Sequence, residues 1–152
     1  MKILMVCLGN ICRSPIAHGV MQHLITKNKL PWSVESNGTN GLHTGEAPHK
    51  FSIKVCKQHG IDISKQVSQE FKVADFEHYD VIYVMANDVY NDVLKVATST
   101  QQMQKVKLFL NELYPNQNRD VTDPWYGGED GFTEVYTIIN DGCDKIISTV
   151  LK

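Results

Sequence analysis

The segment Cys7-Leu8-Gly9-Asn10-Ile11-Cys12-Arg13-Ser14 places a thiol and a guanidinium at the two ends of one short loop. Five residues separate Cys7 from Arg13. If the loop curls ahead of a helix, its backbone N–H groups and the helix dipole converge on an anion and stabilise a thiolate. Arg13 can hold two oxygens of a tetrahedral dianion at once, whereas a lysine offers a single point of charge. These are the parts of a covalent phosphoryl-transfer site, with Cys7 as the nucleophile.

A thiolate that attacks a phosphate ester also needs a proton donor for the leaving group. The segment Asp123-Pro124-Trp125-Tyr126-Gly127-Gly128 is polar, forms turns and lacks a helix or strand pattern. It can carry Asp123 over the loop, while Trp125 and Tyr126 wall a pocket for a flat substrate. An Asx-type turn with surface aromatics explains the same residues equally well. Nearby acids compete with Asp123 for the role: Asp120, Glu129 and Asp130.

The elements that must position these groups follow from the hydrophobic pattern. The apolar run 3–6 ends at Gly9-Asn10 and predicts a buried strand that enters a turn. Ser14-Pro15 predicts a helix start, with Ser14 as the cap and Pro15 at the first helical position. The remaining pattern predicts strands at 32–36, 80–85 and 106–110, and a helical turn is the alternative at 106–110. It also predicts helices at 51–58, closed by Gly60, and at 132–150.

Alternating strands and helices predict an α/β fold in a single domain, residues 1–152, whose parallel strands are joined by right-handed crossovers. Ligands of such sheets bind where strand carboxyl ends meet helix N-termini. In this chain that place is residues 7–14.

Composition excludes several other classes of protein. With 17 acidic and 15 basic residues the net charge is −2, which argues against a nucleic-acid partner. No apolar run approaches the ~20 residues of a membrane span, and the N-terminal run is too short for a signal peptide. Four cysteines without a Cys-x-x-Cys pair suit a cytoplasmic protein with free thiols. The six scattered histidines do not pair with cysteines at metal-site spacing, so we expect no metal.

The two segments closely resemble the two signatures of the low-molecular-weight protein tyrosine phosphatases. The likeness extends through Ser36-x-Gly38-Thr39, His59-Gly60-Ile61 and the C-terminal helix, and so covers essentially the whole chain. It implies a four-stranded parallel sheet flanked by helices on both faces, with a phosphate-binding loop after the first strand. It also implies phosphotyrosine-containing proteins as substrates, phosphate or vanadate as site ligands, and no metal or organic cofactor.

The resemblance implies a role for each site residue. Cys7 would form a phosphocysteine, Arg13 would bind the phosphate oxygens and Asp123 would be the general acid and base. Ser14 would hydrogen-bond the thiolate, and Asn10 would brace the loop with Ser36. The remaining expected substrate-binding residues are Leu8, Gly9, Ile11, Cys12, Leu42, Trp125 and Tyr126. Cys12 matches a thiol that can form a reversible disulfide with the nucleophile, and a purely structural role for it is equally open.

One departure from the family's pattern predicts a weaker bracing network, and three histidines elsewhere are assigned to the surface. Lys65 stands where many members of the family carry a histidine that joins the Asn–Ser pair, so the network is expected to be incomplete here. His18, His23 and His78 are interpreted as solvated surface residues.

Three alternatives to a phosphotyrosine phosphatase stay open. Arginine phosphatases of the family typically carry Thr at the position of Ile11, so Ile11 favours an aryl phosphate. A thiol-dependent arsenate reductase needs two more cysteines near the loop, and Cys56 and Cys143 do not follow the third strand. A phosphate-binding module or cysteine phosphocarrier has no use for Asp123.

Overall fold

The computed structural model describes residues 1–151, which form one four-stranded sheet covered by helices on both faces. The strand order is β2-β1-β3-β4 and every neighbouring pair is parallel. The strands are β1 Lys2–Cys7, β2 Ser33–Gly38, β3 Val81–Val84 and β4 Val106–Leu108. The predicted α/β class and four-stranded parallel sheet are therefore confirmed.

The helices complete the two outer layers. They are α1 Arg13–Lys27, α2 Lys50–Gln58, α3 Asp75–His78, α4 Asn87–Val96, α5 Thr100–Gln104 and α6 Glu129–Leu151. Two short 3-10 helices, Phe109–Glu112 and Pro124–Tyr126, lie between β4 and α6. None of the helices within residues 1–151 combines the length and the apolar character needed to cross a membrane.

The alternation of side chains along β1 divides the core into two halves. Ile3 and Met5 face α1, α2 and α6, whereas Leu4 and Val6 face α3 and α4. A strand buried on both faces has a continuous apolar sequence, and for this reason the run at 3–6 predicts a buried strand. The sheet thereby fixes Cys7, the last residue of β1, at the carboxyl edge beside Gly38 of β2.

Several predicted element ends differ from the structure by one to three residues, and two of these differences have a clear physical cause. The fourth strand stops at Leu108, because Phe109 and Leu110 turn into a 3-10 helix while both stay buried. Periodicity alone cannot tell a short buried strand from a helical turn. The first helix begins at Arg13 with Cys12 as its N-cap, and the cap makes no side-chain hydrogen bond. Ser14 lies inside the first turn, and its hydroxyl is used elsewhere.

Gly142 generates a prediction about the core. An added Cβ at this position of α6 would lie 2.4 Å from Cε2 of Phe109, whose ring is fully buried. We expect Gly142→Ala to lower the free energy of unfolding by about 1–3 kcal/mol, because overpacking outweighs the better helix propensity of alanine. Urea denaturation followed by circular dichroism measures the difference.

The matched control is Gly131→Ala, in the first turn of the same helix. Its Cβ would meet nothing closer than Pro124 Cβ at 3.7 Å, an ordinary contact. This variant should match or slightly exceed the native stability. A Gly142→Ala protein as stable as Gly131→Ala would contradict the close packing of α6 on Phe109.

Candidate active site

The loop between β1 and α1 is held to its surroundings by its carbonyl oxygens. Cys7 O accepts from Thr39 N at 3.1 Å, Leu8 O from Asn40 N at 3.0 Å and Ile11 O from His49 N at 2.8 Å. Hydroxyl groups reach two further carbonyls: Ser68 Oγ donates to Gly9 O and Ser52 Oγ donates to Cys12 O, each at 3.1 Å. These bonds turn the carbonyls outward, away from the space in front of Cys7.

The N–H groups of the same loop have no such partners. From Gly9 to Cys12, no backbone N–H donates a hydrogen bond to another residue in the part of the chain that the structure describes. Asn10 adopts a left-handed conformation with φ of 56°, which asparagine tolerates better than most residues. Successive N–H groups in such a turn form a concave anion site.

Gly38 lets β2 approach this loop. A Cβ at Gly38 would lie 2.7 Å from Leu8 O and 2.8 Å from Asn10 N. Only glycine fits this contact between strand and loop. Gly38 lies in the Ser36-x-Gly38-Thr39 segment of the family resemblance, from which no role was predicted for it. Its contact with the loop follows from the pairing of Cys7 with Gly38 in the sheet.

Behind the loop a buried hydrogen-bond network reaches the Cys7 sulfur. Ser14 Oγ lies 3.0 Å from Cys7 Sγ, and Asn10 Nδ2 donates to Ser14 Oγ at 2.7 Å and to Ser36 Oγ at 3.1 Å. Asn10 Oδ1 accepts from Gln69 N at 3.0 Å. The side chains of Asn10 and Ser14 therefore lie behind the loop, and neither residue is among those that line the cleft. The backbone N–H of Asn10 is one of the loop N–H groups without a hydrogen-bond partner in the described part of the chain, and substrate binding by both residues stays a prediction.

His18 also belongs to this network, so its interpretation as a solvated surface residue is wrong. Its Nδ1 lies 3.1 Å from Ser36 Oγ, and burial lowers the pKa of its imidazole to about 4. Ser14 and His18 are four residues apart on α1 and hence on one helix face, which was the available sequence signal. Lys65 is exposed, and the bracing expected to be incomplete without a histidine there is supplied from α1.

Arg13 is almost fully buried, with 4% of its surface exposed. Its Nη1 donates to Val121 O at 3.0 Å and its Nη2 lies 3.6 Å from Asp123 Oδ2. The guanidinium is thus oriented by Val121, which lies 108 positions further along the chain in the segment that carries Asp123. A buried cation of this kind needs a compensating anion, which here is Asp123.

The acids that competed with Asp123 are engaged elsewhere. Asp120 Oδ1 accepts from Asn87 N and Nδ2, at 2.8 and 2.7 Å, and Glu129 pairs with Lys54 Nζ at 2.5 Å. Asp130 lies exposed at the start of α6. Asp123 borders the cleft, and its Oδ1 accepts from Trp125 N at 3.0 Å as the cap of the 3-10 helix.

Two aromatic side chains follow Asp123 and form one wall of the cleft. Tyr126 is 90% exposed, and Trp125 is half exposed and packs against His43 and His49, with 5.7 Å between ring centroids in each pair. Burial, with a smaller contribution from Lys50, lowers the pKa of His49. The Asx-type turn and the functional segment are therefore the same structure, since capping by Asp123 helps to orient both rings.

The cleft measures about 300 Å³ and brings together most of the predicted site residues. Its lining includes Cys7, Leu8, Gly9, Ile11, Cys12, Arg13, Leu42, Asp123, Trp125 and Tyr126. Asn40 and His43 also line it, and sequence reasoning had not selected Asn40. Leu42 is 80% exposed at the rim, and Ile11 lies deeper with 8% exposed.

The other cysteines are in environments that keep them protonated. Burial, followed by the charges of Cys7 and Asp123, raises the pKa of Cys12 to about 12, and burial raises that of Cys56 to about 12. Burial also raises the pKa of Cys143 well above its usual range. All four thiols are free. Within residues 1–151 no group of three His, Cys, Asp or Glu side chains is arranged to hold a metal ion.

The lowered pKa of His18 predicts a pH-dependent stability. The unfolded chain takes up a proton near pH 6.5, but the folded chain does so only near pH 4, so folding is opposed as pH falls through this window. His18→Asn removes that proton uptake. Between pH 6.5 and 4 we expect the native protein to lose about 2–3 kcal/mol more unfolding free energy than His18→Asn.

Urea denaturation at a series of pH values measures this difference. His23→Asn is the matched control, because His23 is exposed on the same helix, and it should reproduce the native pH dependence. Parallel curves for the native protein and His18→Asn would show that His18 titrates normally in the folded state.

The chain matches a known protein family over almost its whole length. The family model described as low molecular weight phosphotyrosine protein phosphatase matches residues 2–152. A putative low molecular weight protein-tyrosine-phosphatase of Synechocystis is 34% identical, with 100% of this chain and 98% of the relative covered.

Solved structures agree with this assignment. The protein tyrosine phosphatase of Entamoeba histolytica is 36% identical, with a TM-score of 0.91 over 99% of this chain and 96% of that one. A Drosophila arginine phosphatase is 27% identical, with a TM-score of 0.92 over 100% and 99%. The loop after Cys7 has backbone N–H groups without hydrogen-bond partners in the described residues, as an anion site requires. Because the family model matches residues 2–152, the chain belongs to the low molecular weight phosphotyrosine protein phosphatase family.

Proposed function

We propose that the protein hydrolyses phosphotyrosine through a phosphocysteine on Cys7. The carrying observation is the arrangement of the loop, in which the carbonyls are bound outward and the N–H groups of Gly9 to Cys12 are left for an anion. Arg13 and Asp123 border the same cleft as the Cys7 sulfur. An anion site, a nucleophile and an acid in one cleft are what phosphate monoester hydrolysis requires.

In the first step the Cys7 thiolate attacks phosphorus, the P–S bond forms and the bond from phosphorus to the phenolic oxygen breaks. Asp123 gives its proton to that oxygen, and tyrosine leaves. The loop N–H groups and Arg13 hold the remaining phosphate oxygens as charge develops on them, and this preorganised field is the largest contribution we assign. To accept the phosphate, Arg13 exchanges its contact with the Asp123 carboxylate for contacts with phosphate oxygens, and the released carboxylate takes up from solvent the proton that it then gives to the phenolic oxygen.

In the second step Asp123 acts as a base. It takes a proton from a water molecule that attacks phosphorus, the P–S bond breaks, and inorganic phosphate and the Cys7 thiolate are released. Ser14 Oγ, 3.0 Å from the sulfur, donates a hydrogen bond to the thiolate in both the first and last states. The cycle converts phosphotyrosine and water to tyrosine and inorganic phosphate, and none of its steps uses a cofactor.

The walls of the cleft support an aryl phosphate as substrate. Ile11, Leu42 and the two aromatic rings after Asp123 offer apolar surface to a flat phenyl ring. Because Cys7 must stay reduced to act, we expect the activity in a reducing compartment, the cytoplasm.

Hydrolysis of aryl phosphates tests the assigned roles. We expect Cys7→Ser to abolish the hydrolysis of p-nitrophenyl phosphate. Asp123→Asn should lower kcat by about 10²–10⁴-fold on phenyl phosphate and by less on p-nitrophenyl phosphate, because a poorer leaving group depends more on the acid. Steady-state kinetics on both substrates measure the ratio.

Asp130→Asn is the matched control, since Asp130 is exposed in the same region and should leave both rates unchanged. Activity that survives Cys7→Ser would overturn the mechanism. An equal loss on both substrates would remove Asp123 from the role of general acid.

Matched peptides decide the substrate. The Drosophila relative is named as an arginine phosphatase, and its structure covers the whole of this chain, so phosphoarginine is the second candidate. We expect kcat/KM to be at least about tenfold higher for a phosphotyrosine peptide than for phosphoarginine or phosphoserine peptides of the same sequence, because apolar walls contribute about 1–3 kcal/mol of discrimination. A preference for phosphoarginine would show that Ile11 does not determine selectivity.

A further inference from the structure

A line of hydrogen bonds runs from the Cys7 sulfur through the interior to α1. It passes from Cys7 Sγ to Ser14 Oγ at 3.0 Å, then to Asn10 Nδ2 at 2.7 Å. The same amide reaches Ser36 Oγ at 3.1 Å, and Ser36 Oγ lies 3.1 Å from His18 Nδ1. Four parts of the fold contribute: the end of β1, the loop, β2, and the first two turns of α1.

Counting donors and acceptors gives this line a direction. Asn10 Nδ2 has two protons and uses both, one for Ser14 and one for Ser36, while its Oδ1 accepts from Gln69 N. Ser36 Oγ, having accepted from Asn10, has its own proton left to donate. His18 Nδ1 is the acceptor in reach, provided that the imidazole is neutral with its proton on Nε2.

The surroundings keep the imidazole neutral. His18 is mostly buried, and burial lowers its pKa to about 4. Three charged groups face the polar cleft that His18 lines: Glu35 from β2, and Asp62 and Lys65 from the segment after α2. Their charges are of both signs, and desolvation is the cause of the shift.

We propose that His18 is a positioning residue for the nucleophile: its Nδ1 fixes the Ser36 hydroxyl, which fixes the Asn10 amide and, through Ser14, the Cys7 thiolate. The proposal rests on the proposed function, in which Cys7 attacks phosphorus. Asn10 holds a left-handed backbone conformation at the bend of the loop, and its side chain is the brace of that bend. When the Ser36 proton loses its acceptor, the amide loses its fixed orientation and the loop N–H groups no longer converge on one point.

Two substitutions separate hydrogen bonding from packing. His18→Leu fills a similar volume and has no acceptor. His18→Asn places a carbonyl oxygen at the same distance from Cβ as the lost Nδ1, so it restores the acceptor for Ser36. We expect His18→Leu to lower kcat/KM for p-nitrophenyl phosphate by about five- to tenfold, the worth of one buried hydrogen bond, and His18→Asn to stay within about twofold of native.

Alkylation of Cys7 by iodoacetamide at pH 6 reports the thiolate without any substrate. Cys12, Cys56 and Cys143 stay protonated at this pH, and mass spectrometry assigns the modified residue. The rate for Cys7 should fall by a similar factor in His18→Leu and recover in His18→Asn. In a Ser36→Ala background, His18→Leu should have no further effect, because the path to Cys7 is already cut.

His23→Leu and His23→Asn are the matched controls, on the exposed side of the same helix, and should match the native protein in every measurement. Equal effects of His18→Leu and His18→Asn, or an additive loss in the Ser36→Ala background, would overturn the positioning role and leave His18 as a packing residue. Full activity of Cys7→Ser would instead overturn the proposed function, so the two failures are distinguishable.

Discussion

The peptide groups of one short loop must point their N–H ends inward and their carbonyl ends outward, and much of the structure serves this constraint. Left to itself, a polar backbone segment would satisfy its donors as well as its acceptors. Here the acceptors are met by Thr39, Asn40, His49 and two serine hydroxyls, while the donors of Gly9 to Cys12 have no partner within residues 1–151. A polar site built from fixed dipoles loses little energy to reorganisation when a charged ligand binds.

The positive charge of the site lies on one buried side chain, and the net charge of the chain does not predict it. The protein carries a net charge of −2, yet one of its two arginines is buried at the base of the cleft. Its guanidinium is oriented by Val121 O and balanced by Asp123. The same carboxylate is the proposed acid, so its ion pair with Arg13 keeps it beside the place where the phosphate would bind.

The histidines differ in burial and therefore in the contacts that they make. His18 is neutral and accepts a hydrogen bond within the network behind the loop. His49 caps α2 by accepting from Phe51 N, donates its own N–H to Ile11 O, and packs against Trp125. It therefore ties the loop to the segment that carries Asp123. His23, on the same helix as His18, stays exposed.

The sequence by itself determined the features that a short stretch of chain can encode. The buried central strand, the long C-terminal helix and the left-handed Gly60 after α2 follow from local periodicity and backbone sterics, and so does the spacing of Cys7 and Arg13. Tertiary structure decided what local rules could not. Ser14 is a residue type preferred at helix caps, but it lies inside the first turn of α1, where its hydroxyl contacts Cys7 Sγ. Four neighbouring acids competed for one role in the sequence; in the structure Asn87 binds Asp120, Lys54 pairs with Glu129, and Asp123 pairs with Arg13 at the cleft. His18 contacts Ser36 because β2 packs beside α1. These pairings join residues that are 18 to 110 positions apart, and only a folded sheet brings such residues into contact.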